Sequence, residues 1–70
     1  MTPRTLPASY EATRKQRRRA QKQADRDDTP MAVVRYDNLV FVRPLAKALS
    51  LCAKHPEAKI LHECFPGDPS

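Results

Sequence analysis

The chain has 70 residues, of which 40% are hydrophobic and 30% charged, and a formal net charge of +5 at pH 7. This length permits one small domain, and the absence of a run of about 20 apolar residues argues against a membrane span. Residues 1–30 contain eight cations, four acids and almost no aliphatic side chains, whereas residues 31–70 contain most of the Val, Leu, Ile and Phe. The composition therefore divides the chain into a polar N-terminal part and an apolar C-terminal part.

Basic residues are concentrated in Thr13–Ala24, which contains six of the thirteen Lys and Arg residues and otherwise only Thr, Gln and Ala. As a helix, this segment would be cationic around most of its circumference, with one narrow neutral stripe that includes Ala12, Gln16 and Ala20. It has no large apolar side chain to bury, and like charges repel at i,i+4. We therefore expect residues 1–30 to form a disordered arm that becomes helical on binding a polyanion. The candidate nucleic-acid-binding residues are Arg14, Lys15, Arg17, Arg18, Arg19, Lys22, Gln23 and Arg26.

Other interpretations of this arm remain open. It could contact an RNA polymerase or another protein, or be a solvated segment without a partner. Binding to a membrane surface is not expected, because an interfacial helix needs a Leu, Phe or Trp face and this segment has alanines.

Residues 13–24 resemble the arginine-rich RNA-binding arm of the N antitermination proteins of lambdoid phages. Without a gap, the matching residues are Thr13, Arg14, Arg18, Arg19, Ala20, Lys22, Gln23 and Ala24, and Lys15 replaces another cation. Such arms bind the boxB hairpin of nascent RNA as a bent helix. The resemblance implies phosphate contacts by Arg14, Lys15, Arg18, Arg19 and Lys22, with Gln23 near the loop of the hairpin. The chain departs from the pattern at Gln16, which replaces a cation, and at Arg17, which replaces an acid.

The C-terminal part has the pattern of a small ββαβ domain. Two β-rich segments flank Asp37-Asn38, which predicts a hairpin in which Tyr36 opposes Leu39 and Val34 opposes Phe41. We expect these four side chains to form the core face of the sheet. After Pro44, an amphipathic helix with Leu45, Ala48, Leu49 and Cys52 on its apolar face should cover the sheet, and Lys59–Phe65 should form a third strand. The sequence thus predicts an α+β protein, with a disordered basic arm (residues 1–30) followed by a ββαβ mini-domain (residues 31–70).

Two further cations lie on the predicted hairpin. Arg35 and Arg43 could extend the basic surface as weak partner-binding residues, or simply protect the strand edges with charge.

Cysteine and histidine residues in the C-terminal part could bind a metal. Cys52, His55, His62 and Cys64 have the composition of a zinc site, although the spacing is not that of a usual zinc motif. We expect core cysteines and partly exposed histidines instead, and no cofactor; a zinc site and a Cys52–Cys64 disulfide are the alternatives. No nucleophile, base and orienting group occur together, so enzymatic activity is not expected.

The resemblance of residues 13–24 and the small size of the chain imply a phage-encoded transcription regulator, which we expect to act as a monomer in the cytoplasm of a bacterial host. It would bind nascent RNA, host RNA polymerase or both, and cause antitermination or inhibit initiation. The alternatives are a general nucleic-acid-binding or ribosome-associated protein, and a small inhibitor of another host protein. With only two cysteines and no apolar leader, reduced thiols inside the cell are expected.

Overall fold

The computed structural model describes residues 10–67, and within these residues the fold is a three-stranded antiparallel sheet with one helix on each face. In chain order its elements are α1 (Arg14–Asp27), β1 (Met31–Tyr36), β2 (Leu39–Pro44), α2 (Leu45–Lys54) and β3 (Lys59–Cys64). The strand order is β2-β1-β3, so β1 is central and both other strands are edges. The predicted α+β class and the ββαβ order of the C-terminal part are confirmed.

The β1–β2 hairpin has the predicted register. Tyr36 pairs with Leu39 and Val34 with Phe41 across the two-residue turn. Asp37 adopts a φ of 57°, a left-handed conformation that Asp tolerates better than most residues because its short polar side chain can form local hydrogen bonds. The local chemistry of the turn therefore determines which side chains share a face of the sheet.

α2 covers one face of the sheet, as predicted, but the residues that it buries differ from the predicted set. Ala48 is fully buried against Val34, and Leu45 and Leu51 pack around it. Leu49, predicted to be on the buried side, is instead 54% exposed. Leu51, three residues after Ala48, packs against the sheet where Leu49 was expected. The predicted apolar stripe of α2 was therefore assigned to the wrong side of Ala48.

On the predicted core face of the hairpin, the residues far from the turn are buried and those next to the turn are not. Val34 is fully buried and Phe41 packs against the same cluster. Tyr36 is half-buried, and Leu39 is 64% exposed, because both adjoin the turn at the end of the hairpin. All four side chains share the predicted face, but Leu39 is exposed on it, so its assignment to the core is wrong.

β3 contributes to both cores because its pairing with β1 contains a bulge. The register shifts between Val33, which pairs with His62, and Val34, which pairs with Ile60. Ile60 packs on the α2 side, whereas the additional residue Leu61 packs on the α1 side. This irregularity accounts for the imperfect alternation of apolar residues in the strand.

The largest correction concerns the basic segment, which is a helix packed on the sheet. Ala20 and Ala24 are fully buried in a cluster with Met31, Val33 and Cys64. The prediction of a disordered arm is therefore wrong for α1; residues 1–9 lie outside the described part of the chain. The physical reason is that the sheet supplies the large apolar side chains, while the alanines allow the helix backbone to approach it closely.

The two ends of α1 have defined caps. The Thr13 side chain accepts a hydrogen bond from the Gln16 backbone N–H at 3.1 Å, and the Gln16 side chain accepts one from the Thr13 N–H at 2.9 Å. This reciprocal capping box satisfies two of the donors that a helix start leaves unpaired. Asp28 ends the helix in the left-handed conformation, with a φ of 50°. These caps fix where α1 begins and ends on the sheet.

Candidate nucleic-acid interface

The net charge of the protein is located on α1. Its fourteen residues contain seven cations and two acids, which give +5, and the remaining six cations and six acids of the chain cancel. A helix that carries the entire net charge produces a strongly positive potential at one surface of so small a molecule.

The cationic side chains of α1 are all exposed. They are Arg14, Lys15, Arg17, Arg18, Arg19, Lys22 and Arg26. Since successive helical residues are rotated by about 100°, Lys15, Arg18 and Lys22 lie within roughly 60° of one another, on the side opposite Ala20 and Ala24. Attachment of the alanine face to the sheet therefore directs a row of cations into solvent. We call this surface the cationic face of α1.

The cations of α1 are largely uncompensated. Within the described residues, they form one ion pair, between Arg26 Nε and Asp27 Oδ1 at 4.0 Å, and both side chains are well exposed. An exposed pair of this kind contributes little to stability. The positive charge of the helix thus remains available to an external anion.

The positions that the phage-arm resemblance assigns to phosphate contact share this surface. Helical geometry places Arg14, Lys15, Arg18, Arg19 and Lys22 within an arc of about 140° on the outward side of α1. Gln23 lies at one border of the arc and is exposed. Arg17 lies about 60° outside the arc on the other side, near the direction of Ala24, and its backbone carbonyl is 3.7 Å from the Cys64 Sγ. Docking of α1 on the sheet leaves all of these cations accessible.

A groove of about 570 Å³ separates α1 from the edge strand β2. The lining from α1 is Thr13, Lys15, Gln16, Arg19 and Gln23, and the lining from the sheet is Val33, Val40, Phe41, Val42 and Arg43. Val33 is fully buried, and Val40 and Val42 are half-buried because α1 only partly covers them. The groove was not foreseen from the sequence, since it exists only because α1 is docked.

Arg43 borders this groove in a defined conformation. Its Nη1 donates a hydrogen bond to the Val42 carbonyl at 3.1 Å, and its Cζ lies 4.7 Å from the centroid of the Phe41 ring. Arg35, the other hairpin cation, donates from Nε to the Asp37 carbonyl at 3.3 Å and so lies at the turn. In the alternation of the strands, Arg35 shares the α1 face with Val33 and Val40. Arg43 shares the α2 face with Phe41 and lines the groove at the outer edge of β2.

The four candidate zinc ligands are not brought together. Cys64 is buried beneath α1, whereas Cys52 belongs to α2 on the opposite face of the sheet. The ring of His55 makes an edge contact with the Tyr36 ring at 5.1 Å, and His62 lies on β3. Residues 10–67 contain no group of three or more His, Cys, Asp or Glu side chains that could hold a metal ion. In this part of the chain both cysteines are free thiols on opposite faces of the sheet, and the four side chains share no common site.

The contact between Tyr36 and His55 connects the end of β1 to the end of α2. The Tyr36 hydroxyl lies 3.4 Å from His55 Nδ1, which is itself 3.9 Å from the Glu57 carboxylate. Desolvation of the phenol, together with the nearby negative charge of Glu57, raises the pKa of Tyr36 above its ordinary value. The phenol is therefore neutral at physiological pH. The three side chains connect β1 to the end of α2, which is a structural role.

None of the helices in residues 10–67 is both long and apolar enough to cross a membrane. Comparisons with protein-family models, with curated proteins and with solved structures found no match to this chain. The charge and geometry of α1 and of the groove beside it are therefore the features from which a function can be inferred.

Proposed function

We propose that the protein binds nucleic acid, RNA in preference to DNA, through the cationic face of α1, and that it regulates transcription by doing so. The observation that carries this proposal is the location of the whole net charge on the exposed side of one helix. Lys and Arg side chains that neutralise phosphates release condensed counterions, and this release drives most of the affinity for nucleic acid.

Docking of α1 supports binding by a preformed surface. A disordered basic segment must become ordered when it binds, and that ordering reduces its affinity. In α1 the buried alanines and the capping box already hold the helix. The cations therefore need only small side-chain adjustments to meet a phosphate backbone.

The preference for RNA and the role in transcription are supported by the resemblance of residues 13–24 to the phage N arms. By the same resemblance, the proposed source is a phage and the proposed outcome is antitermination or inhibition of initiation. Host RNA polymerase is the proposed protein partner. The two edge strands offer places where such a partner could add a strand to the sheet.

The salt dependence of RNA binding tests the proposed interface. We expect Arg18→Ala to reduce the slope of log affinity against log salt concentration by about one unit, the contribution of one neutralised phosphate. Lys47→Ala is the matched control, because Lys47 is an exposed cation on α2, on the other face of the sheet. An affinity that does not depend on salt, or an equal effect of both variants, would contradict binding through α1.

The proposed role is tested by affinity purification of the tagged protein from its host, with and without nuclease. Recovery of RNA polymerase after nuclease treatment would indicate a direct protein contact, and recovery only before treatment would indicate a contact through RNA. If neither polymerase nor RNA is recovered, the regulatory role is wrong and an inhibitor of another protein becomes the better hypothesis.

A further inference from the structure

We infer that the outer edge of β2 binds an extended segment of a protein partner, which is acidic and apolar and adds to the sheet as a fourth strand. The proposed function includes a protein contact but gives neither its place nor its chemistry. This inference therefore rests on the proposed function and specifies that contact. It places the side chains of the bound segment alternately on the α1 face and on the α2 face of the sheet.

The backbone of β2 presents hydrogen-bonding groups at its outer edge. In a hairpin with a two-residue turn, the residues that flank the turn exchange hydrogen bonds and the next pair does not. Tyr36 and Leu39 flank this turn, so alternation along the hairpin directs the N–H and C=O groups of Val40 and Val42 away from β1. Within residues 10–67, β2 is an edge strand of the sheet. The outward groups of the two valines are those that an added strand uses.

The lining of the groove comes from both faces of β2, which fits an extended peptide. Val40 and Val42 lie on the α1 face and are half-buried. Phe41 and Arg43 lie on the α2 face, which Leu39, 64% exposed, extends toward the turn. Successive side chains of a strand point to opposite faces of a sheet, so an added strand contacts both sets of residues. Its apolar side chains would remove apolar surface of β2 from water on both faces.

The charge beside this edge favours an acidic partner. Lys15 and Arg19 border the groove on the α1 side and Arg43 borders it on β2, and the residues within 10–67 that line it include no acid. A second copy of the protein would bring the same net charge of +5 to this surface. Repulsion between like charges therefore opposes pairing of two β2 strands, whereas carboxylates on another protein would be attracted.

Arg43 makes the edge of β2 selective for acidic strands. Its Nη1 donates a hydrogen bond at 3.1 Å to the Val42 carbonyl, one of the outward-facing acceptors, and its Cζ lies 4.7 Å from the centroid of the Phe41 ring. A cation at a strand edge opposes pairing with an uncharged strand. A carboxylate on an incoming strand accepts hydrogen bonds from the same guanidinium, so the Val42 carbonyl can then accept from a backbone N–H of that strand.

The other edge strand, β3, is less regular. Its pairing with β1 contains the bulge at Leu61, where the register shifts between Val33 and Val34. Bulges interrupt the hydrogen-bond ladder and twist an edge, which protects it from pairing. In contrast, β2 pairs with β1 without a shift over its whole length. The regular edge of the sheet is therefore the one that the groove and its cations adjoin.

The test titrates the full-length protein with a capped octapeptide of alternating valine and glutamate, and follows the amide signals of Val40 and Val42 by nuclear magnetic resonance. Two further peptides are N-methylated, one at every valine and the other at every glutamate. Because a strand directs the N–H groups of alternate residues to the same edge, only one of these peptides loses the donors that face β2. We expect that peptide to bind at least about tenfold more weakly than the other, the contribution of two hydrogen bonds.

Substitutions on β2 test the same contact from the side of the protein. Val42→Pro removes an outward-facing N–H and no hydrogen bond to β1, so it should weaken binding of the unmethylated peptide about fivefold, the contribution of one hydrogen bond. Val42→Thr keeps the donor and the shape of the side chain and should weaken it less. Arg43→Gln should weaken it about threefold, as expected for one exposed ion pair, whereas Lys47→Gln, which removes an exposed cation of α2, should have no effect.

Two results with the peptides would overturn the inference. They are equal affinity of the wild-type protein for the two N-methylated peptides, and unchanged affinity of a folded Val42→Pro variant for the unmethylated peptide. In both cases, a salt dependence of RNA binding that still decreases in Arg18→Ala would leave RNA binding through α1 intact. Circular dichroism establishes whether Val42→Pro is folded, and the N-methylated peptides decide the question on the wild-type protein if it is not.

Two further results would assign the edge of β2 to another occupant and would also overturn the inference. A single-stranded RNA that displaces the peptide, and whose own affinity decreases in Val42→Pro, would make the edge a nucleic-acid site. A wild-type protein that sediments as a dimer and becomes a monomer in Val42→Pro would make it a contact between two copies. We expect a monomer in both cases and an RNA affinity that Val42→Pro leaves unchanged.

Discussion

Replacement of Ala20 by Glu should separate α1 from the sheet and unfold the protein. Ala20 is fully buried in the cluster that contains Met31 and Val33. Glutamate is a good helix former, so the substitution changes the intrinsic helix propensity little. However, a carboxylate cannot be buried among apolar side chains without a partner, and the helix would undock rather than accept it.

The expected loss follows from what undocking exposes. Met31 and Val33 are almost completely buried, and burying each such side chain contributes about 1.5–3 kcal/mol, so their exposure costs about 3–6 kcal/mol. A chain of 70 residues has a total stability of about 3.5–10 kcal/mol, at roughly 0.05–0.15 kcal/mol per residue. The two quantities are comparable, so the sheet should not remain folded without α1. For the same reason, a fragment of residues 31–70 should not fold alone.

Nuclear magnetic resonance and thermal denaturation measure this effect. We expect the Val33 and Val34 amide signals to lose their dispersion in Ala20→Glu, and the cooperative melting transition to disappear. Gln23→Glu is the matched control, because it introduces the same residue at an exposed position of the same helix. If Ala20→Glu retains dispersed signals and melts within a few degrees of Gln23→Glu, the reasoning is refuted and α1 does not belong to the core.

Three smaller predictions concern the caps of α1 and the α2 side of the core. Thr13→Ala should reduce the free energy of unfolding in urea by about 1 kcal/mol because the capping box is lost, whereas Thr13→Ser should not; equal stabilities would contradict the cap. Asp28→Gly should raise the melting temperature, because the φ of 50° costs an L-residue about 1 kcal/mol and a carboxylate opposes the helix dipole. Asp28→Asn removes the charge but keeps a side chain in the left-handed conformation, so comparing its melting temperature with that of Asp28→Gly distinguishes the two effects. A lower melting temperature in Asp28→Gly would contradict both reasons. Phe41→Ala should cost about 2 kcal/mol in urea denaturation, roughly half the value for a fully buried ring, since Phe41 is half-buried; a loss below 0.5 kcal/mol would exclude it from the core.

The hairpin could be predicted in detail because its determinants are local. Asp37 and Asn38 require a two-residue turn, and that turn fixes every pair of residues between β1 and β2. Exposure of Leu39 was harder to predict, since it depends on how far α2 extends toward the turn. Likewise, the choice between Leu49 and Leu51 depends on the rotation of α2 on the sheet, which its periodicity does not specify.

Docking of α1 does not follow from its own large apolar residues, because the helix has none and its buried surface consists of alanines. A signal was nevertheless available in β1, where Met31–Val34 is a continuous apolar run with no exposed side. Such a run is typical of a strand buried on both faces. A single helix covers only one face of a sheet, so a second covering element was required. The alanine stripe of α1 was the remaining surface with the right periodicity.

The groove could not be predicted for a related reason. It lies between residues of α1 and residues of β2, and nothing in either segment alone indicates that they are neighbours. Arg43 was recognised only as a cation at a strand edge. Its contact with Phe41 is local, because residues two apart on a strand share a face. Its place in the lining of the groove depends on the docking of α1.

The arrangement of charge on α1 works against the stability of the fold. Four pairs of cations lie at i,i+4, namely Arg14 with Arg18, Lys15 with Arg19, Arg18 with Lys22, and Lys22 with Arg26. At about 0.2–0.5 kcal/mol each, their repulsion costs about 1–2 kcal/mol in a protein with little stability to spare. A bound polyanion would remove this repulsion, and any ligand that binds only the folded state stabilises it in proportion to its occupancy. Folding of the sheet and binding at α1 are therefore coupled through one helix, whose alanines complete the core while its cations destabilise it until the ligand is bound.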